Sequence, residues 1–132
     1  MKNIFIFTLL ILNSAFVFGQ NAEFSFYKKT KNYHVINEGD TLKGFFVFKN
    51  TGTDSLKIKD YTVECHCTQA FFPKTPTPPN ATDTVYFTFD SNGKSFQQKR
   101  TILIYANTKD ESAIVTFKVY VNPKEAFSEK KR

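Results

Sequence analysis

Hydrophobic and polar residues alternate in short runs along most of this chain, and a period of two predicts β-strands. The clearest run covers residues 41–50. One of its faces carries Leu42, Gly44, Phe46 and Phe48. Phe45 and Val47 lie on the other face, so we expect this strand to be covered on both sides near its middle.

Similar runs occur before and after this strand, separated by short polar turns. They cover residues 23–27, 55–60, 61–68, 82–90, 96–106 and 112–121. Asn92-Gly93 is a typical hairpin turn, and four prolines between residues 73 and 79 indicate a connection at a sheet edge. The pattern predicts an all-β fold: a single immunoglobulin-like antiparallel β-sandwich of seven to eight strands, without the Cys…Trp…Cys pattern of antibody domains.

The beginning of the chain predicts a secretory signal peptide. Lys2 is followed by an uncharged apolar run, and Gly19 suits a cleavage site before Gln20. We expect a signal peptide at residues 1–19, the β-sandwich at 20–122 and a polar C-terminal tail at 123–132. The mature protein would be periplasmic or secreted, with no transmembrane span after cleavage. The alternative is an uncleaved N-terminal anchor.

The charge of the chain argues against nucleic acid as a partner. The formal charge of +6 falls by one, to +5, when Lys2 leaves with the signal peptide. The basic residues are scattered among aromatic ones, and only the C-terminus forms a weak basic tail. Because a nucleic-acid-binding protein would show a basic stripe or a known motif, the charge indicates a solvated surface.

Nearly all of the soft-ligand and redox chemistry lies in Cys65-His66-Cys67. Four interpretations stay open, and the first is that both cysteines are buried core residues. The second is a disulfide between Cys65 and Cys67, which an exported chain allows. It would need a turn at His66, because residues i and i+2 of a regular strand lie near the limit for bridging.

The third interpretation is a metal site in which Cys65, Cys67 and His66 hold Cu(I) or Zn²⁺. A regular strand would turn His66 away from both thiols, which leaves His34 as another imidazole ligand. The fourth is a catalytic cysteine with His34 as its base. Because the sequence has no phosphate-binding loop, HExxH motif or recognisable carboxylate pair, we expect no enzyme, and no cofactor apart from that Cu(I) or Zn²⁺.

Phe71 and Phe72 follow the cysteines and precede the proline-rich stretch. These two rings can cap the end of the core. Alternatively, they can form an exposed apolar surface that suits a protein partner. An edge strand beside them would suit the addition of a strand from that partner.

A series of short motifs follows in fixed order between residues 39 and 121. They are Phe46-Val47-Phe48-Lys49-Asn50-Thr51-Gly52, Leu56-Lys57-Ile58, Cys65-His66-Cys67-Thr68 and Pro73-Lys74, then Ile102, Ile104 and Asn107. Together they resemble the domain-of-unknown-function 1573 family of exported bacterial proteins. In that family, glycine usually stands where this chain has His66, and a Pro-Gly turn where it has Pro79-Asn80. The resemblance implies an immunoglobulin-like sandwich related to ASH/MSP-type domains, and no established activity.

We therefore expect a small exported sandwich that acts as a non-enzymatic binding or accessory module. Its partner would be a protein in the periplasm or at the cell surface, recognised through an edge strand and the surface near Phe71 and Phe72. The alternative is a periplasmic copper-binding or thiol-redox protein that uses Cys65 and Cys67.

Overall fold

Two β-sheets pack face to face in the computed structural model, which describes Gly19 and residues 21–124. The strands of this part of the chain are β1 (Phe24–Phe26), β2 (Thr30–Asn32), β3 (Ile36–Asn37), β4 (Thr41–Asn50), β5 (Ile58–Val63), β6 (Thr68–Phe71), β7 (Thr82–Asp90), β8 (Phe96–Ala106) and β9 (Ser112–Asn122). Sheet 1 has the order β1-β4-β7-β6. Sheet 2 has the order β2-β9-β8-β5, and β3 also pairs with β9.

The predicted immunoglobulin-like sandwich is confirmed, with nine strands in the described part of the chain instead of seven to eight. The difference lies before β4, where the chain changes sheets. There β1 pairs with β4 in sheet 1, while β2 and β3 pair in parallel with β9 in sheet 2. The other pairings are antiparallel.

The predicted terminal segments fall largely outside the described residues. Of the signal peptide at 1–19, only Gly19 is described, and of the tail at 123–132 only Pro123 and Lys124. Within the described part of the chain, no helix has the length and apolar character needed to cross a membrane.

Aromatic rings fill the space between the sheets. The fully buried phenylalanines come from β4 and β7 of sheet 1 and from β9 of sheet 2: Phe46, Phe48, Phe87, Phe89 and Phe117. The rings of Phe87 and Phe117 stack across the two sheets with their centroids 4.3 Å apart. Each buried ring stabilises the fold by about 1.5–3 kcal/mol through removal of apolar surface from water.

Asn50 is the polar centre of one end of the sandwich and is fully buried. Its Nδ2 donates to the carbonyl oxygens of Asp54 at 2.7 Å and Thr77 at 2.9 Å. Its Oδ1 accepts from the backbone N–H groups of Gly52 at 3.0 Å and Glu23 at 3.3 Å. One side chain thus joins the segment before β1, the turn after β4 and the proline-rich connection.

Candidate functional site

The cysteines lie in a turn between the two sheets, and not in a continuous strand. β5 ends at Val63 and β6 begins at Thr68, so the extended segment predicted for 61–68 is interrupted. Residues 64–67, here called the disulfide turn, carry the chain from the edge of sheet 2 to the edge of sheet 1. A turn at this point lets the chain change sheets, which a regular strand would not.

Cys65 and Cys67 are joined by a disulfide, with their Cα atoms 5.2 Å apart. This separation falls within the usual range for bridged cysteines. Both cysteines are half-buried, whereas His66 between them is exposed. The turn therefore supplies the geometry that a Cys-x-Cys bridge requires.

The disulfide turn is anchored on its Cys67 side. The carbonyl of Cys67 accepts from the N–H of Asp90 at 2.8 Å, and the side chain packs against the core. The carbonyl of Cys65 accepts from the N–H of Thr68 at 3.2 Å, which closes the turn on itself. We therefore expect His66 and Cys65 to be the more accessible part of the turn.

The residues proposed as metal ligands or catalytic groups are not gathered into a site. His34 is exposed in the segment between β2 and β3, and His66 is exposed at the disulfide turn. In the portion of the chain that the structure describes, no group of three or more His, Cys, Asp or Glu side chains could hold a metal ion. In the disulfide, neither sulfur is a thiolate that could bind a metal or attack a substrate.

A half-buried cation, Arg100, which sequence reasoning missed, lies at the same end of the sandwich as the disulfide turn. Val63 and Ile102 form the last β5–β8 pair before the disulfide turn. Arg100 lies on β8 two residues before Ile102, and therefore on the side of that turn. Its guanidinium lies 5.8 Å from the ring centroid of Phe89, and its Nη2 donates to Gln98 Oε1 at 2.6 Å. Its Nε is buried and has no hydrogen-bond partner among the residues that the structure describes.

We predict that the disulfide contributes little to stability. A bridge that closes only three residues removes little unfolded-chain entropy, about 1–2 kcal/mol in the chain-entropy model. The double substitution Cys65→Ser and Cys67→Ser should lower the free energy of unfolding by no more than that amount in urea titrations. Reduced wild-type protein is the matched control, and a double variant that fails to fold would contradict the prediction.

The two phenylalanines after the turn have different environments. Phe72 is half-buried, with its ring centroid 6.3 Å from that of Tyr61 in an edge-to-face contact. Phe71 is 51% exposed and ends β6, the outer strand of sheet 1. Phe72 thus caps the core, and Phe71 belongs to the surface.

Phe71 is one of three exposed aromatic side chains aligned across sheet 1. The strand register places Phe71 beside Tyr86, and Tyr86 beside Phe45. Tyr86 is 57% exposed and Phe45 is 46% exposed, and their ring centroids are 6.4 Å apart. We call these three residues the aromatic row.

A sequence signal for the aromatic row exists in each strand taken alone. In β7, Tyr86 occupies the solvent-facing position between two inward residues, Val85 and Phe87, where a polar residue is usual. Phe45 likewise occupies a solvent-facing position in β4. Their alignment depends on the pairing register, which the sequence does not reveal.

The outer strand β6 has an open side. The N–H of Asp90 bonds to the carbonyl of Cys67, so alternate residues of β6 direct their backbone groups to β7. By this alternation, the carbonyl of Thr68 and both backbone groups of Ala70 point away from the sheet. Pro73 closes one end of this open edge, and the disulfide turn closes the other.

Fold and site together define an immunoglobulin-like β-sandwich domain with a disulfide turn beside an open edge strand. The chain belongs to the family described as "Protein of unknown function (DUF1573)", whose model matches residues 24–121. The resemblance seen in the motifs is thus confirmed. None of the curated proteins matches this chain.

Several solved structures share the fold at low sequence identity. A protein of unknown function from Porphyromonas gingivalis W83 has a TM-score of 0.66 at 16% identity, over 82% of this chain and 50% of that one. The ASH/PapD-like domain 7 of human CEP192 has a TM-score of 0.58 at 11% identity, over 81% and 89%. The secreted serine protease VesC from Vibrio cholerae has a TM-score of 0.56 at 15% identity, over 74% and 23%.

These similarities concern the fold alone. This chain spans half of the Porphyromonas protein and 23% of VesC, so it corresponds to one part of each. A sandwich of this type supports many unrelated functions, and the function has to be sought in the surface of this chain.

Proposed function

We propose that this protein is a non-enzymatic binding module that recognises a protein partner through the open edge of β6 and the aromatic row. The observation that carries this proposal is the position of Phe71. It ends the edge strand and stands in register with two further exposed aromatic residues, Tyr86 and Phe45. Exposed aromatic clusters of this kind are typical of interaction surfaces.

The edge and the row supply two complementary kinds of contact. The free backbone groups of Thr68 and Ala70 would pair with an extended segment of the partner. Phe71 would contact the paired segment, and the rest of the aromatic row, which runs across the strands, would cover apolar side chains elsewhere on the partner. Burial of large rings supplies most of the energy of such contacts. Because β6 has only four residues, pairing alone would be weak, and the row would provide most of the affinity.

The compartment belongs to the same proposal. The apolar run after Lys2 supports export, and the disulfide is consistent with an oxidising environment such as the periplasm or the exterior. We expect mature protein to begin at Gln20, which N-terminal sequencing of material isolated from the source cells measures. A chain that still begins at Met1 would count against cleavage of a signal peptide and would favour the uncleaved N-terminal anchor.

We predict that Phe71→Ser weakens partner binding about tenfold, as truncation of an interface anchor commonly does. The stability should change by less than about 0.5 kcal/mol, because the side chain is exposed. The measurement is quantitative capture of partners from the exported fraction by immobilised mature protein. Capture that is equal for wild type and Phe71→Ser would sink the proposal.

Ile114→Ser provides the matched control for this experiment. Ile114 is 55% exposed, close to the 51% of Phe71, but it lies on β9 in sheet 2. It should leave capture unchanged. Phe72 is unsuitable as a surface variant, since its ring packs against Tyr61.

A second candidate function, thiol–disulfide exchange, is favoured by the position of the disulfide in a turn with an exposed His66. Small strained rings are reduced more easily than structural bridges. The test is the oxidised fraction of Cys65 and Cys67 in defined glutathione buffers, measured by alkylation and mass spectrometry. A bridge that stays oxidised below about −300 mV would be structural, which would exclude this candidate.

A further inference from the structure

A shallow groove of about 430 Å³ adjoins the aromatic row on the outer face of sheet 1. It is lined by Tyr27, Lys28, Lys31, Val47 and Thr82, and we call it the lysine groove. Val47 provides its apolar floor beside Tyr27, since the N–H of Tyr27 donates to the carbonyl of Val47 at 3.1 Å. Tyr27 is 68% exposed and forms an aromatic wall.

Lys31 connects the lysine groove to the aromatic row. Its Nζ lies 3.9 Å from the ring centroid of Phe45 and donates to the carbonyl of Phe45 at 2.8 Å. The hydroxyl of Tyr33 occupies the same backbone edge, accepting from the N–H of Phe45 at 3.1 Å. The ammonium group is thereby held in place at the boundary between the row and the groove.

The lysine groove is positively charged. Its lining, taken from the described part of the chain, contains two lysines and no carboxylate. Partial burial, together with the nearby positive charge of Lys28, holds the pKa of Lys31 below its usual value. An anionic group in the groove would favour the charged form of Lys31, and so offset both the burial and the repulsion by Lys28.

The geometry of the groove indicates which kind of anion it suits. The ammonium of Lys31 covers the ring of Phe45, and the rings of Phe45 and Tyr86 are tilted by 52° to each other. The rings of Phe45 and Tyr86 therefore do not form one continuous flat surface for the stacking of sugar rings. The apolar floor and aromatic wall favour an anion attached to an apolar body over a small hydrated ion.

We propose that the lysine groove binds a carboxylate of the protein partner, so that the partner presents an acidic side chain next to apolar ones. This inference rests on the proposed function and specifies the chemistry of the partner. Phe71 lies on β6, and Tyr27 directly follows β1. These two outer strands of sheet 1 are three strand spacings apart, or about 14 Å. An extended segment of about four or five residues spans that distance.

The test uses the mature protein labelled with ¹⁵N, and 4-phenylbutyrate as a carboxylate on an apolar body. We expect saturable chemical-shift changes at the amides of Tyr27, Val47 and Thr82, which weaken as salt is added. The neutral analogue 4-phenylbutyramide should bind about three- to tenfold more weakly, because it lacks the charge. Equal binding of the two compounds, or no saturable change, would overturn the proposal.

Three variants separate the lysine groove from general electrostatics. Lys28→Met and Lys31→Met should each weaken binding of 4-phenylbutyrate about three- to tenfold, while Lys31→Arg should retain it. Lys99→Met removes the same charge from β8 in sheet 2 and should leave binding unchanged. A loss of equal size in Lys99→Met would overturn the proposal.

A trimer of galacturonic acid provides the test of a polysaccharide partner. If this uronate binds in the lysine groove and 4-phenylbutyrate does not, the proposal of an acidic protein segment is wrong. Phe71→Ser should not affect binding of the small probe, because Phe71 lies at the other end of the row. The two proposals can therefore fail separately. If the lysine groove does not bind a carboxylate, 4-phenylbutyrate shows no specific binding. If the proposed function is wrong, Phe71→Ser leaves partner capture unchanged.

Discussion

Replacing Asn50 with leucine is expected to lower the free energy of unfolding by about 3 kcal/mol, because one buried and three partly buried backbone groups each lose a hydrogen bond. The groups concerned are the carbonyls of Asp54 and Thr77 and the N–H groups of Gly52 and Glu23. Leucine has a similar volume but offers no donor or acceptor. Urea unfolding monitored by tyrosine fluorescence measures the loss, which would be a large part of the stability of a small domain.

Asn50→Asp distinguishes hydrogen bonding from packing. Aspartate keeps the shape and the acceptor for Gly52 and Glu23, but it sets an oxygen against the two carbonyls that Asn50 Nδ2 now bonds. We expect a loss comparable to that of leucine. The control Asn32→Asp makes the same change at an exposed asparagine on β2 and should cost less than about 0.5 kcal/mol. If Asn50→Asp matched the control, the hydrogen bonds of Asn50 would not be stabilising.

Gly44→Ala is the second substitution for which we expect a large loss, about 1–3 kcal/mol from overpacking. Alanine usually suits a strand better than glycine does, so propensity alone predicts the opposite sign. At Gly44, however, a Cβ would lie 2.5 Å from Cε1 of Phe87 and 2.6 Å from Oη of Tyr33. Both rings are fixed by edge-to-face and stacked contacts with each other and with Phe117.

A double variant tests whether the collision with the ring is the cause. Phe87→Leu shortens the side chain that meets the new Cβ and by itself leaves a cavity. The free energies of unfolding of Gly44→Ala, Phe87→Leu and the double variant form a thermodynamic cycle. We expect the double variant to be more stable than the sum of the two losses predicts. Strict additivity would mean that Phe87 is not the neighbour that excludes a side chain at Gly44.

The motif residues shared with the family are explained by folding. Phe46 and Phe48 fill the core, Asn50 joins three segments, and Gly52 lies so close to the backbone of residues 21–23 that a Cβ would collide with it. Asn107 plays a similar part, since its side chain bonds the backbone of Lys57 and Ser55. These motif residues therefore maintain the sandwich.

Core packing does not explain the exposed ring of Phe71, and the disulfide turn lies at the start of the same edge strand. The turn limits β6 at one end, and Pro73 follows it at the other, so the open edge is short and defined. Short edge strands of this kind avoid indiscriminate strand pairing. A partner that contacts the aromatic row would therefore gain specificity from side chains as well as from the backbone.

Local alternation was sufficient to predict the long strands. In β4, β7 and β9 the inward residues recur every second position, because side chains of a strand point alternately to its two faces. The short strands before β4 were less predictable. β2 and β3 pair in parallel with β9, far away along the chain, and their three and two residues carry too little pattern to show it.

The sequence by itself determined the all-β class, the family and the concentration of sulfur chemistry at Cys65 and Cys67, because these depend on residue types and local spacing. Only the tertiary structure decided that Phe71 is exposed while Phe72 is half-buried, and that Phe71, Tyr86 and Phe45 form one row. The physical reason is that register and the change of sheet at the disulfide turn depend on contacts between distant segments. Such contacts leave no periodic trace in any one strand.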